Sequence, residues 1–165
     1  MDKVQLYGDF YFHEVGKSTT ASRFEIDNEP DSEALANAYG LARHILQPVR
    51  DHFDRGFSPQ SWFRCEELEY AICQKPFERW CKLCNVQPTA ESWKTYFARK
   101  QHPLGGTADI EIAGISNDEL FDFIRDNLEF DQLILEYAIP GKPYSGWVHV
   151  SWLHHGNRKQ VKHIN

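Results

Sequence analysis

The chain has 165 residues, 41% hydrophobic and 14% aromatic, with a net charge of −6. That length suits one domain around a single core. The acidic balance, with Lys and Arg scattered among acids, excludes the basic face that neutralises phosphates, so no nucleic-acid partner is expected. No segment approaches the roughly 18–20 apolar residues of a membrane span. The first residues, "MDKVQLYGDFYFHEVGKS", lack a basic stretch followed by an apolar run. A chain made in the cytoplasm without a signal peptide, and with no membrane insertion, is therefore expected.

Residues 1–27 read as an irregular arm or short edge elements. From Pro30 a helix begins with acids in its first turn. Leu35, Tyr39, Ala42, Ile45, Leu46, Val49 and Phe53 recur at helical spacing and mark its buried face. Pro48 is expected to bend or shorten its last turns. "SWFRCEELEYAICQ" reads as a strand end or loop leading into a helix. Residues 75–100 read as helical excursions broken by Pro88, with Trp80, Trp93, Tyr96 and Phe97 packing this piece onto the main core.

Cys65, Cys73, Cys81 and Cys84 fall within twenty positions. "CKLC" fits half of a zinc site, a redox pair or two unrelated thiols. Cys65 and Cys73 make a poor second half, which leaves a zinc-ribbon or redox protein as the weakest reading.

"TADIEI" alternates as a strand with Ala108, Ile110 and Ile112 toward the core. Ser116 and Glu119 stand at capping-box spacing ahead of a helix whose buried face is Leu120, Phe123, Ile124 and Leu128. "FDQLILEYAI" and "GWVHVSW" are two further strands joined by "PGKPYS". The order predicts an α+β domain with an antiparallel sheet packed against helices.

The alternation sets Asp109 opposite Ile110, and His149 with Trp147 and Ser151 opposite Val148 and Val150. If these strands are neighbours, Asp109 and His149 converge on one face. His102, seven positions before Asp109 across the Gly105–Gly106 turn, can fold back over the same spot. Two imidazoles and a carboxylate are a usual three-ligand catalytic zinc set with a fourth position open. Hydrolysis then needs a general base, and Glu136 is the nearest acid before His149. Taken singly, a His before a glycine turn is usually a surface or capping residue, an Asp starting a strand is commonly a turn residue, and a His on an aromatic-flanked strand is little stronger as a ligand. Trp147 either walls the pocket or belongs to the core. Tyr137 and Tyr144 could each donate to a developing oxyanion, and nothing in the sequence selects between them.

"QHPLGGTAD" resembles the H-x-x-G-x-A-x-D signature of zinc D-alanyl-D-alanine carboxypeptidases and L-alanyl-D-glutamate endopeptidases. "FDQLILEY" with "GWVHVSW" resembles the second signature of the phage and prophage branch. "STTASRFEIDNEP", "ILQPVRDHF" and "SWFRCEEL" fall in the order that branch uses, so the resemblance covers most of the chain. It implies a hedgehog/DD-peptidase-like fold, one Zn2+ on His102, Asp109 and His149, and Glu136 as catalytic acid/base. Arg64, in "SWFR", takes the place of an arginine that grips a substrate carboxylate or polarises the scissile carbonyl, for which its planar fork is suited. The implied partner is the peptidoglycan stem peptide, cut by a monomeric lytic enzyme that reaches the wall after release. A catalytically dead relative that binds stem peptides without cutting is the alternative. Lys100 replaces a usual serine, Thr107 a usual alanine, and residues 75–100 form an insertion that either reshapes substrate access or embellishes packing.

Overall fold

The protein is described by a computed structural model covering residues 4–164; residues 1–3 of the expected N-terminal arm lie outside the described residues. The rest of that arm folds into short elements, the second of the two expected forms. A two-stranded antiparallel ribbon, β1 (Gln5–Tyr7) and β2 (Phe10–Tyr11), runs into the short helices α1 (Phe12–Val15) and α2 (Thr19–Phe24). Ser18 caps α2 by accepting from the Ala21 amide at 3.2 Å.

Helix α3 (Ser32–Leu41) starts at Asp31, whose carboxylate accepts from the Ala34 amide. A π-helical stretch, Ala42–Leu46, joins α3 to α4 (Gln47–Phe53). Pro48 neither ends nor shortens this rod. It lacks the N–H that would bond His44, and the widened turn just ahead of it accommodates the loss. Ala38, Leu41, Ala42, Ile45, Leu46 and Val49 are fully buried along one face.

Helix α5 (Glu66–Cys84) contains Pro76 and a non-helical residue, Cys73, at φ −99° and ψ 15°. Pro76 removes a bond to the carbonyl of Ile72, and the kink falls beside that gap. Helix α6 (Ala90–Phe97) follows a turn ended by the Thr89 cap. Phe77, Trp93, Tyr96, Cys73 and Cys81 form a second apolar cluster with Trp80 and Phe97 packed against it. The aromatics of residues 75–100 thus build a core of their own and do not join the main one.

Strand β3 (Thr107–Ile110), helix α7 (Asn117–Asn127), β4 (Gln132–Glu136), β5 (Trp147–Ser151) and β6 (Gln160–Ile164) complete the chain. The four-stranded sheet has the order β3-β5-β4-β6, with β6 parallel to β4 and the other pairs antiparallel. The architecture is therefore mixed α+β with two sheets, and the main sheet is mixed where a purely antiparallel one was expected. Ala108, Ile110, Leu133, Leu135, Val148 and Val150 line one sheet face, and α7 contributes Leu120, Phe121 and Ile124 to the same cluster. Each of these large apolar side chains stabilises the fold by about 1.5–3 kcal/mol through burial. Ser116 caps α7 by accepting from the Glu119 amide. No helix among the described residues is long and apolar enough to cross a membrane.

Candidate metal centre

The second face of the sheet carries polar groups. Asp109 on β3 pairs directly with His149 on β5, and Ile134 and Glu136 of β4 pair with His149 and Trp147. Because side chains alternate along a strand, this register sets Asp109, His149, Glu136 and Trp147 on one side.

His102 reaches them from a single 3-10 turn, His102–Leu104, closed by Gly105 at φ +77°. A Cβ on Gly105 would lie 2.1 Å from the carbonyl oxygen of Ala34, so both backbone angle and space demand glycine here. Trp62 clamps the turn at both ends. Its indole N–H donates to the Gly105 carbonyl at 2.9 Å, and its own carbonyl lies 2.6 Å from His102 Nδ1. A carbonyl only accepts, so Nδ1 carries the proton and Nε2 keeps its lone pair for the interior.

His102, Asp109 and His149 are 6%, 7% and 8% exposed. His102 Nε2 lies 3.3 Å from Asp109 Oδ2, and His149 Nδ1 lies 2.8 Å from Asp109 Oδ1. One ligand atom from each residue falls within 4.8 Å of the others, and among the described residues these three form the group able to hold a metal ion. The cysteines contribute no such group: all four are free, Cys73 and Cys81 buried, Cys65 partly so and Cys84 exposed.

Burial alone would raise the Asp109 carboxyl, but His102 and His149 outweigh it and hold it far below the usual carboxylate range. Burial pushes the His102 imidazole toward its neutral form, with Asp109 opposing. That neutral imidazole is the ligand form. Glu136 lies 3.9 Å from His149 Nδ1. Its carboxyl is raised by burial against the opposing pull of His149. Its backbone is held in place by Gly146, at φ +73°, where a Cβ would lie 2.0 Å from the Glu136 carbonyl oxygen. The side-chain amide of Asn117 pins that loop by donating to the Gly146 carbonyl at 2.9 Å.

Arg64 arrives from the segment beside β3. The Asp109 amide donates to Ser61, and the Gln60 amide donates to the Asp109 carbonyl. Arg64 then donates from Nη2 to Asp109 Oδ2 at 2.7 Å and from Nε to Ser61 Oγ at 2.7 Å. Its Nη1 lies 3.5 Å from Glu69, a residue with 1% side-chain exposure that also pairs with Lys100 at 3.3 Å. Burial raises the Glu69 carboxyl, and Arg64, the Cys73 thiol and Lys100 together more than reverse this. The sequence reading missed Glu69, because an acid within "CEELEY" looks like part of a solvated face. Its one local signal is the four-residue spacing to Cys73, whose thiol donates to it at 3.1 Å.

A cavity of about 450 Å³ opens over these groups, with Arg64, His102, Asp109, Glu136, Trp147 and His149 among its walls. Pro76, Arg99 and Lys100, from residues 75–100, also face it. Tyr137 and Tyr144 are both exposed, but only Tyr137 lines the cavity, where it packs against Trp147 at 5.1 Å between ring centres. Comparison with protein-family profiles, curated proteins and solved structures gives no match for this chain.

Proposed function

We propose that the chain is a zinc metallopeptidase hydrolysing the peptide stems of bacterial peptidoglycan, as a D-Ala-D-Ala carboxypeptidase or an endopeptidase of the hedgehog/DD-peptidase-like kind. The observation that carries the reading is the meeting of His102, Asp109, His149 and the raised Glu136 carboxyl in one cavity.

The donor set fits Zn2+: two imidazoles and one carboxylate, buried, with the far nitrogen of His102 tied to a backbone carbonyl as metal-binding histidines usually are. Zinc bound there would supply Lewis acidity, acidifying water and polarising a peptide carbonyl.

The remaining work falls to the chain's own side chains. Glu136, held near the ligands with its proton affinity raised by burial, takes a proton from the attacking water and returns it to the leaving amine. Arg64 orients the Asp109 carboxylate through the 2.7 Å bond, and its place in the cavity wall puts its charge beside the substrate. Trp147, paired with Glu136 across the strands, and Tyr137 form part of the cavity wall, and Trp147 limits bulk water beside the reacting bond. Stem peptides as substrate rest on the paired motifs, and the likeness to the phage branch makes this a lytic enzyme that reaches the wall after release from the host cytoplasm.

The test is mass spectrometry of purified muropeptides incubated with zinc-loaded protein, beside Glu136→Gln. The wild type should release terminal alanine or a stem peptide, and the variant should be slower by roughly 10²–10⁴-fold. Equal product from Glu136→Gln would refute the assignment of the base. No product from zinc-replete wild type would leave a stem-peptide binding module in its place.

A further inference from the structure

His149 Nε2, the nitrogen turned away from Asp109, lies 3.2 Å from Gln101 Oε1. The Gln101 side chain is itself anchored, its Nε2 donating to Asp131 Oδ2 at 3.1 Å. Asp131 is fully buried and held by the fork of Arg158, from Nε at 2.6 Å and Nη2 at 2.7 Å, with Ser151 Oγ donating at 3.4 Å.

The chemistry of this chain runs in one direction. A carboxylate bonded to a guanidinium only accepts, so Gln101 must turn its NH2 toward Asp131. Its carbonyl then faces His149 and also only accepts, so His149 Nε2 must carry a proton. The nitrogen facing the site is then Nδ1, 2.8 Å from Asp109 Oδ1, and a metal held there would replace the proton shared along that contact. His102 is held the opposite way, with Nδ1 against the Trp62 carbonyl and Nε2 inward. Each ligand histidine thus has its outer nitrogen tied to a different acceptor, one from the backbone and one from a side chain.

We infer that Gln101 is a positioning residue that fixes the nitrogen through which His149 binds the metal, with Asp131 and Arg158 setting the direction of its amide. This inference rests on the proposed metal centre. Gln101 contributes no charge and no metal bond. Arg158 is half exposed, so the relay runs from the protein surface to a buried ligand in three side chains.

The experiment compares wild type with Gln101→Leu, which keeps the bulk and removes both bonds. Zn2+ affinity is measured by chelator competition, and the zinc-loaded, 15N-histidine-labelled proteins are examined by NMR. In wild type His149 should be ligated through Nδ1, with a slowly exchanging Nε2 proton. Gln101→Leu should lose roughly 10- to 100-fold in Zn2+ affinity and the protection of that proton, with unchanged melting of the metal-free protein. A merely structural glutamine would move the melting and leave the ring signature alone. Unchanged affinity in Gln101→Leu, or ligation of wild-type His149 through Nε2, would overturn the inference. A wild type that binds no Zn2+ would instead bring down the metal centre, and this inference with it.

Discussion

Replacing Glu69 by glutamine keeps the shape of the side chain and removes its charge from between two cations. Glu69 has 1% side-chain exposure, with Lys100 at 3.3 Å and Arg64 at 3.5 Å. Removing one partner of a buried pair costs about 3–5 kcal/mol because the other charge is stranded. Arg64 and Lys100 keep 16% and 24% exposure, so water recovers part of that loss and about 2–3 kcal/mol is expected at neutral pH. For a chain of this length that corresponds to a fall in Tm of roughly 4–12 °C. The pH dependence supplies the sharper check. Burial opposes the charged form, but Arg64, the Cys73 thiol and Lys100 win, leaving the folded-state pKa of Glu69 below its unfolded value. Its contribution is then complete above the unfolded carboxylate range, near ~4.3, and is lost as pH falls through the depressed folded value. Urea unfolding of metal-free wild type and Glu69→Gln should therefore diverge at pH 7, begin to converge once pH falls below the unfolded carboxylate range, and coincide only below the depressed folded value. A difference under ~0.5 kcal/mol at pH 7, or one that stays constant into acid, would refute the reasoning.

Gly105→Ala should destabilise the protein by at least ~2 kcal/mol, from the left-handed φ together with a Cβ against the Ala34 carbonyl. On the proposed metal centre, it should also weaken Zn2+ binding by shifting His102. Equilibrium denaturation checks the first effect and chelator competition the second, and a neutral outcome in both would mean that the turn relaxes freely. Among the thiols, iodoacetamide at pH 8 should modify exposed Cys84 first and spare Cys73. Burial and the neighbouring Glu69 push the Cys73 thiol up to about 11, so the reactive thiolate is scarce there. Peptide mass spectrometry showing Cys73 labelled as fast as Cys84 would contradict this.

The candidate site was legible where strand alternation fixes direction. "TADIEI" and "GWVHVSW" each place their polar residues on a known side, and the register of Asp109 with His149 turns two separate patterns into one site. The same alternation put Ala108, Ile110 and Ile112 inside, and all three are buried. What the sequence could not signal were groups whose meaning comes from partners far along the chain. Gln101 is an ordinary polar residue until Asp131, thirty positions on, orients its amide. Strand β6 was missed because "QVKHI" at the sheet edge is largely exposed and has no apolar rhythm. The aromatics of residues 75–100, expected on the main core, lie apart from it for a related reason. Aromatics at helical spacing announce burial without saying against what, and here they bury against one another.

That separate aromatic cluster has a consequence for cooperativity. The sheet that carries Asp109 and His149 and the cavity wall formed by α5 draw their stability from different reservoirs of apolar contact. They meet through polar links at Glu69 and Lys100 and through the kink at Cys73 and Pro76. A wall with its own core can open as a unit, at a free-energy cost below that of unfolding the sheet. The width of the cavity mouth then becomes an equilibrium property of the α5–α6 pair, adjustable by substitutions at Phe77 or Trp93 in the separate cluster.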